Sequence, residues 1–435
     1  MKTGVKKALL ALLVLVSVVT SLALIVACGP PPKVTMRVAW WGNPTRDERT
    51  NKVIELYQKD FPNVTINPEF VSWAGYWEKI NTQAAGNDLP DVMQHDYAYL
   101  LQFVSKNLME DLTPYINSKK ISLDGVSETY LSGGRVGGNL YGISLGTNAV
   151  CMVYDPAILA KAGITAPKND WTWDDFVKIA LEVYAKTKIQ TLPIFYTDPK
   201  VGFENWIRQS GQSFYAKDGA SLGFTDPALL EEFFNIQVQL LKAGAMVKPD
   251  VVYVNVTITE DQFSKGNSWV QYVWSNQIVA TQAAAKKDLG IVMLPRIKNP
   301  TRAGTYLKPS MFFSVPKTSA NKEEAAKFIN YFLSNPAATK VLLAERGIPI
   351  INSVRDGIKT NVDPVTQQVF AFIDTVAKDG NSSPIDPPDP AAGAAEVLNA
   401  FRLTAQDIMF GKTSVKDGVA KFMKQANEIL AKNKK

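Results

Sequence analysis

Apolar positions along this chain switch repeatedly between two rhythms. Val34 to Ala39 suits a strand, and Thr45 to Lys59 then places Val53, Ile54, Leu56 and Tyr57 at helical spacing before Phe61-Pro62-Asn63 stops it. Val64 to Val71 returns to a strand. Tyr76 to Ala85 reads as a helix closed by Gly86, and Asp91-Val92-Met93-Gln94 as a short buried strand. This β-α-β-α-β order predicts an α/β fold with a mainly parallel sheet covered on both faces.

Further along, SGGRVGGNLYG from Ser132 to Gly142 lacks the spacing of a phosphate loop and has no helix after it, so Gly137-Gly138-Asn139 is read as a hairpin turn. Leu140 to Val153 runs extended and is long enough to pass from one domain to another. Thr172 and Asp175 form a capping box for a helix from Trp173 to Thr187. A strand is expected from Thr191 to Tyr196, a helix from Pro227 to Ala243, and strands at Val270 to Trp274 and Leu289 to Leu294. Tyr306 to Pro316 is extended again. A helix from Lys322 to Leu333 follows, then another that starts at Asn335-Pro336 and ends at Gly347. Asn381 to Pro390 has the composition of a linker, and two helices, about Ala394 to Met409 and Val415 to Lys432, end the chain. The long extended segments near 140–153 and 306–316 imply that the chain crosses between two lobes more than once, which makes a hinge with a cleft beside it.

The N-terminus sets the compartment. Lys2, Lys6 and Lys7 precede an apolar run from Ala8 to Ala27, the parts of an export signal. Ile25-Val26-Ala27-Cys28 resembles the lipobox of bacterial lipoproteins, in which the cysteine is lipidated and becomes the first residue. More than one acyl chain is what stable anchoring needs, and Pro30-Pro31-Pro32-Lys33 reads as a stiff spacer. Loss of residues 1–27 takes away three lysines and no acid, so the formal charge falls from +6 to +3. No basic block suggests nucleic acid. Cys151 is then the one remaining cysteine, read as a small buried apolar residue, so no disulfide holds the fold. About 400 residues exceed a single core of ~250–300, and two domains follow.

Ligands of open α/β sheets gather beyond the carboxyl ends of the strands. That rule selects Trp41, Asn43, Trp73, His95, Asp96 and Tyr97 in the first half, and Tyr196, Trp206 and Trp274 in the second. Flat rings beside amides and charged groups are what a sugar requires, because a pyranose has apolar CH faces and a rim of hydroxyls. Strand alternation puts Trp40 and Trp41 on opposite faces; Trp40 is expected against a helix and Trp41 in the cleft. Trp77, Trp171 and Trp173 are read as packing, and Trp269 and Trp274 as facing opposite ways. His95, the only histidine, is read as a hydrogen-bonded neighbour of Asp96. No zinc, calcium or dinucleotide motif is present, and neither a catalytic residue, a metal nor a cofactor is expected.

In order along the chain, AWWG, FPNVTINPEFVSW, AAGNDLPDVMQHD, LMEDLTPYI, GNLYGISLGTN, YDPAILAKAGI, TWDDF, VWSNQ and SVPKTSANKEEAAKFINYFL resemble the family 1 extracellular solute-binding proteins, the sugar-binding receptors of bacterial ABC importers. The resemblance implies a two-lobed, type II periplasmic-binding-protein-like fold closing over an oligosaccharide. The expected divisions are a signal peptide (1–27), lipidated Cys28 and tether (28–33), an N-lobe (34–146 plus about 308–350) and a C-lobe (about 147–307 plus 351–435). By position, the implied contacts are Trp41, Asp96, Asn148, Trp206 and Trp274, with Trp73 and Lys308. AWWGNPTR, TYLKPSMFFSVP and ERGIPI look most similar to members linked to pectin-derived fragments, including rhamnogalacturonan oligosaccharides, where Arg46 and Lys308 would suit uronate carboxylates. The implied protein is a monomer, lipid-anchored outside the cell, that hands sugar to a permease. An exported glycoside hydrolase or lyase is the alternative, which for a hydrolase needs two facing carboxyl groups.

Overall fold

The computed structural model describes residues 32–433 apart from 43, 72, 197, 255–258, 379 and 391, so the export signal, Cys28 and Asn43 lie outside the described residues. Eight strands form two sheets there: β1 (Val34–Trp41), β2 (Val64–Val71), β3 (Val92–His95), β4 (Ile143–Asn148), β5 (Val150–Tyr154), β6 (Val270–Trp274), β7 (Gly290–Val292) and β8 (Lys308–Ser314). One sheet has the order β2-β1-β3-β8-β4 and the other β6-β5-β7. β1 pairs in parallel with β2 and β3, while β8 lies antiparallel to both β3 and β4.

The predicted helices flank the first sheet. Pro44–Asp60 starts on proline with Asp47 in its first turn and Lys59 in its last, both favourable to the helix dipole, and it buries Thr50, Val53, Ile54 and Tyr57. Trp73–Ala85 follows β2, three residues longer at its start than the spacing suggested. Beside the other sheet, Trp173–Thr187 carries the reciprocal Thr172/Asp175 capping box, and the terminal helices span Ala394–Met409 and Val415–Leu430. Gly137 and Gly138 take φ of 60° and 90° between the two-residue strands Arg135–Val136 and Asn139–Leu140, the left-handed pair a tight hairpin demands. Among the described residues, no helix is long and apolar enough to cross a membrane.

Two cores result. Trp40, Phe313, Phe328 and Ile373 belong to one; Trp173, Phe203, Phe234 and Phe401 belong to the other. β5 serves both, since Cys151 and Val153 face the first core and Val150 and Met152 the second. The thiol of Cys151 is buried, as expected, at 3.5 Å from the Val273 carbonyl, and burial raises its pKa. Only Ala149 separates β4 from β5, its N–H 3.2 Å from Ser275 Oγ and its carbonyl 2.9 Å from the Ser275 N–H.

Three expectations are corrected. Thr191 to Tyr196 is no strand: Pro193 has no N–H, Phe195 turns to a φ of 45°, and the Leu192 and Ile194 N–H groups donate to the side chains of Ser268 and Gln237. The helix starting at Pro336 ends at Leu342, because Leu343 takes a φ of 51°. The segment 381–390 is irregular as expected but is no free linker. Arg208 donates to the Ser383 side chain and the Pro384 carbonyl, and Asp386 and Asp389 bind Arg208 and Lys200. It is a strap.

Candidate functional site

The two adjacent indoles of β1 part company. Trp40 is fully buried, stacked on Phe70 at 5.0 Å, and its Nε1 donates to Asp47 on the following helix at 2.7 Å. Trp41 is 8% exposed and meets Trp73 and Tyr76 edge-on at 4.9 and 5.3 Å. Its carbonyl accepts from Arg46 Nη1 and Gln94 Nε2, each at 3.2 Å. Trp73, 46% exposed, is the open face of this aromatic cluster.

Five of the expected residues, Arg46, Asp96, Asn148, Trp274 and Lys308, converge on a groove of about 310 Å³ between the two sheets. Asp96 comes from the end of β3 and caps the helix Tyr97–Ser105, Oδ1 accepting from the Ala98 N–H at 2.8 Å. Asn148 ends β4 and pairs in register with Lys308 at the start of β8. Trp274 ends β6, and the Lys308 ammonium sits 4.9 Å from its ring centroid, a cation over an indole face. Two polar groups here are unspent. Asn148 Oδ1 is buried without a hydrogen-bond partner, and Lys308 makes no ion pair among the described residues.

Arg46 is already matched by an acid of this chain, since its Nε lies 3.0 and 3.2 Å from the Glu345 carboxylate oxygens, both side chains being largely buried. Arg346 adds a second cation to Glu345 at 3.3 Å. A Cβ on Gly146 would stand 2.3 Å from the Arg346 carbonyl, so only glycine lets β4 approach this closely.

Trp206 is not brought to the groove. Its helix, Pro199–Gln209, turns the indole into the second core against Trp173 at 5.3 Å and Phe233 at 6.0 Å, leaving it 5% exposed. Lys200 and Arg208 of the same helix instead carry the strap. His95 is not bonded to Asp96: it is fully buried against Phe103 and Trp77, both ring nitrogens lack partners among the described residues, and burial lowers its pKa to about 3. No group of three or more histidine, cysteine or acidic side chains suited to a metal occurs among the described residues.

A larger cavity lies elsewhere, about 810 Å³ between the helix Tyr97–Ser105 on one side and residues 211–219 with the strap on the other. Glu204 sits in its wall, where burial raises its pKa against the pull of Lys200. Burial works against the charge of Lys200, but Glu204 and Asp389 outweigh it and raise that pKa too. Arg208 and Arg302 share Asp386. The strap was read from its composition alone, which revealed the prolines but not that Asp386 and Asp389 are bound by cations far away in sequence.

Residues 41–339 match the family described as bacterial extracellular solute-binding protein. A family 1 extracellular solute-binding protein of Alicyclobacillus acidocaldarius superposes with a TM-score of 0.84 at 29% identity, over 93% of this chain and all of that one. A periplasmic oligogalacturonide-binding protein of Yersinia enterocolitica shares the fold at a TM-score of 0.77 and 23% identity, over 92% and 99% of the two chains. The lactose-binding protein of Rhizobium radiobacter is 25% identical over 303 residues, 67% of this chain and 69% of its own. Two sheets joined at the single residue Ala149, a groove between them and a match over well over half of the sequence lead to one statement: the chain belongs to the bacterial extracellular solute-binding proteins, with their two-lobed fold.

Proposed function

We propose that the protein is a carbohydrate receptor, held outside the cell by lipid on Cys28, that binds an oligosaccharide in the groove and delivers it to the permease of an ABC importer. The reading divides the chain into an N-lobe of 34–146 plus about 308–350 and a C-lobe of about 147–307 plus 351–435. It makes the protein a monomer without catalytic chemistry. The observation that carries it is the meeting of Trp274, Lys308, Asn148 and Asp96 on one groove. An indole face suits the CH face of a pyranose, the carboxylate and amide suit its hydroxyls, and the unpaired Lys308 ammonium suits a uronate carboxylate. The lactose-binding and oligogalacturonide-binding relatives support the class and the acidic preference respectively.

The lobes bind by closing. One lobe holds the sugar first, and closure adds contacts absent from the open form, so the ligand shifts the equilibrium by its differential affinity for the two. Calorimetry against pectic, galactan, mannan and xylan oligosaccharides tests the reading. A ligand bound and recovered uncut is expected; no binding to any glycan, or recovery of shortened products, overturns it.

A further inference from the structure

The described chain begins at one end of the five-stranded sheet. Pro32 offers its carbonyl to Asn63 Nδ2 at 3.1 Å, and β1 and β2 then start side by side at Val34 and Val64. β3 starts at the same end, and β8, antiparallel to it, finishes there. Asn321 fastens the corner, its amide donating to the Thr35 carbonyl and to Asp91 at 2.9 and 3.1 Å. Trp41 ends β1 and Asp96 follows β3, so the groove and the start of the chain occupy opposite ends of one sheet.

Lysines gather at the amino end. Lys33 precedes β1, Lys59 lies in the last turn of the helix before β2, Lys106 caps the helix Tyr97–Ser105 where it returns from the carboxyl end, and Lys317 bonds to Asn107 beside it. All four are exposed and make no ion pair among the described residues. Acids at this end already have partners: Asp60 accepts from Tyr331 at 2.7 Å, Asp88 pairs with Arg37, and Glu110 with Lys322. Phe61, 37% exposed between Tyr57 at 4.6 Å and Tyr331 at 6.2 Å, adds a ring to the same face.

Lysines around an exposed ring suit an anionic lipid surface, because the charges sit at the headgroups while the ring enters the boundary with the acyl chains. The sequence limits the distance. Four steps separate Cys28 from Pro32, and a chain of that length spans at most ~14 Å. A lipid on Cys28 would therefore hold the amino end within about two screening lengths of the bilayer, each about 8 Å. Resting on the lipid anchor read above, we propose that the amino end of the five-stranded sheet lies on the anionic membrane surface through Lys33, Lys59, Lys106, Lys317 and Phe61, so that the tethered receptor presents its groove away from the bilayer.

Flotation of the unlipidated mature chain with vesicles tests this face without the anchor. Binding to vesicles of phosphatidylcholine mixed equally with phosphatidylglycerol is expected, with none to phosphatidylcholine alone, and about 1 M salt, where screening shortens to about 3 Å, should release it. Each lysine near such a surface is worth about fivefold in partitioning, so Lys33→Gln, Lys59→Gln, Lys106→Gln and Lys317→Gln together should abolish detectable binding. Phe61→Ser should weaken it several-fold. A matched variant, Lys178→Gln, Lys242→Gln, Lys416→Gln and Lys421→Gln, removes the same charge from exposed positions on helices of the other core and should bind as the parent does. No binding, equal binding to both kinds of vesicle, or equal loss in the two lysine variants overturns the proposal. Mass spectrometry of protein extracted from membranes reads the anchor separately. Lipid on Cys28 without a preference for anionic vesicles leaves the anchor and removes the face, whereas the preference without lipid on Cys28 keeps the face and removes the anchor.

Discussion

The groove around Trp274 and the anchorage of the strap around Arg208 both place cations beside aromatic rings, yet they differ in how far those cations are satisfied. Arg208 is fully buried, over the Tyr306 ring at 4.7 Å, with bonds to the Gly304 and Pro384 carbonyls, the Ser383 hydroxyl and Asp386. Lys308 lies over Trp274 at 4.9 Å with no acid opposite it among the described residues. A buried charge must be paired to be tolerated, and once paired it builds a wall. A half-buried charge left unpaired beside a ring has its interactions still to make.

Removing the satisfied cation should have the largest effect. Arg208→Met leaves Asp386 with Arg302 alone and takes the donor from the Gly304 and Pro384 carbonyls in the interior, and it should lower stability by about 3–5 kcal/mol, read from denaturant melts; a loss under 1 kcal/mol would dissolve the contrast. Next comes His95, unpartnered but sealed from any ligand. Its pKa of about 3 lies below the ordinary imidazole value of about 6.5, so the unfolded chain takes a proton below about pH 6.5 that the native protein refuses. Stability is therefore intact above about pH 6.5 and falls as pH descends towards about 3. By pH 4.5 His95→Gln should escape roughly 2–3 kcal/mol of that fall, and a pH-independent difference between the two proteins would refute the assignment.

Within the groove, Trp274→Ala should weaken glycan binding by about 2 kcal/mol, roughly thirtyfold, with little change in melting temperature; unchanged affinity in calorimetry would move the site elsewhere. Lys308→Met is the mildest and most selective change. It should reduce uronate binding about fivefold and leave neutral sugars alone, and an equal effect on both would assign Lys308 to support of the indole.

Local rules were legible in the sequence where neighbours decide the outcome. The Thr172/Asp175 box, the Gly137-Gly138 turn and the bounds of β2 needed only adjacent residues. Asn148, Trp274 and Lys308 were legible too, through family position, and the structure brings them to one groove. Partners distant in sequence were not. Glu345 reaches Arg46 across 299 residues and Asp386 reaches Arg208 across the chain, and no periodicity announces such pairs. Trp206 illustrates the same gap, because helix position alone does not say which of two cores an indole enters. Thr191 to Tyr196 had strand composition, but side-chain acceptors replaced a neighbouring strand.

Ala149 is all that separates the strands of one sheet from those of the other along this crossing, and Asn148 is its immediate neighbour. When two bodies rotate about such a point, displacement grows with distance from the axle. Groups beside it scarcely travel, so on the proposed reading the unspent oxygen of the amide at 148 would greet a guest at nearly the same place whether the jaws are apart or together.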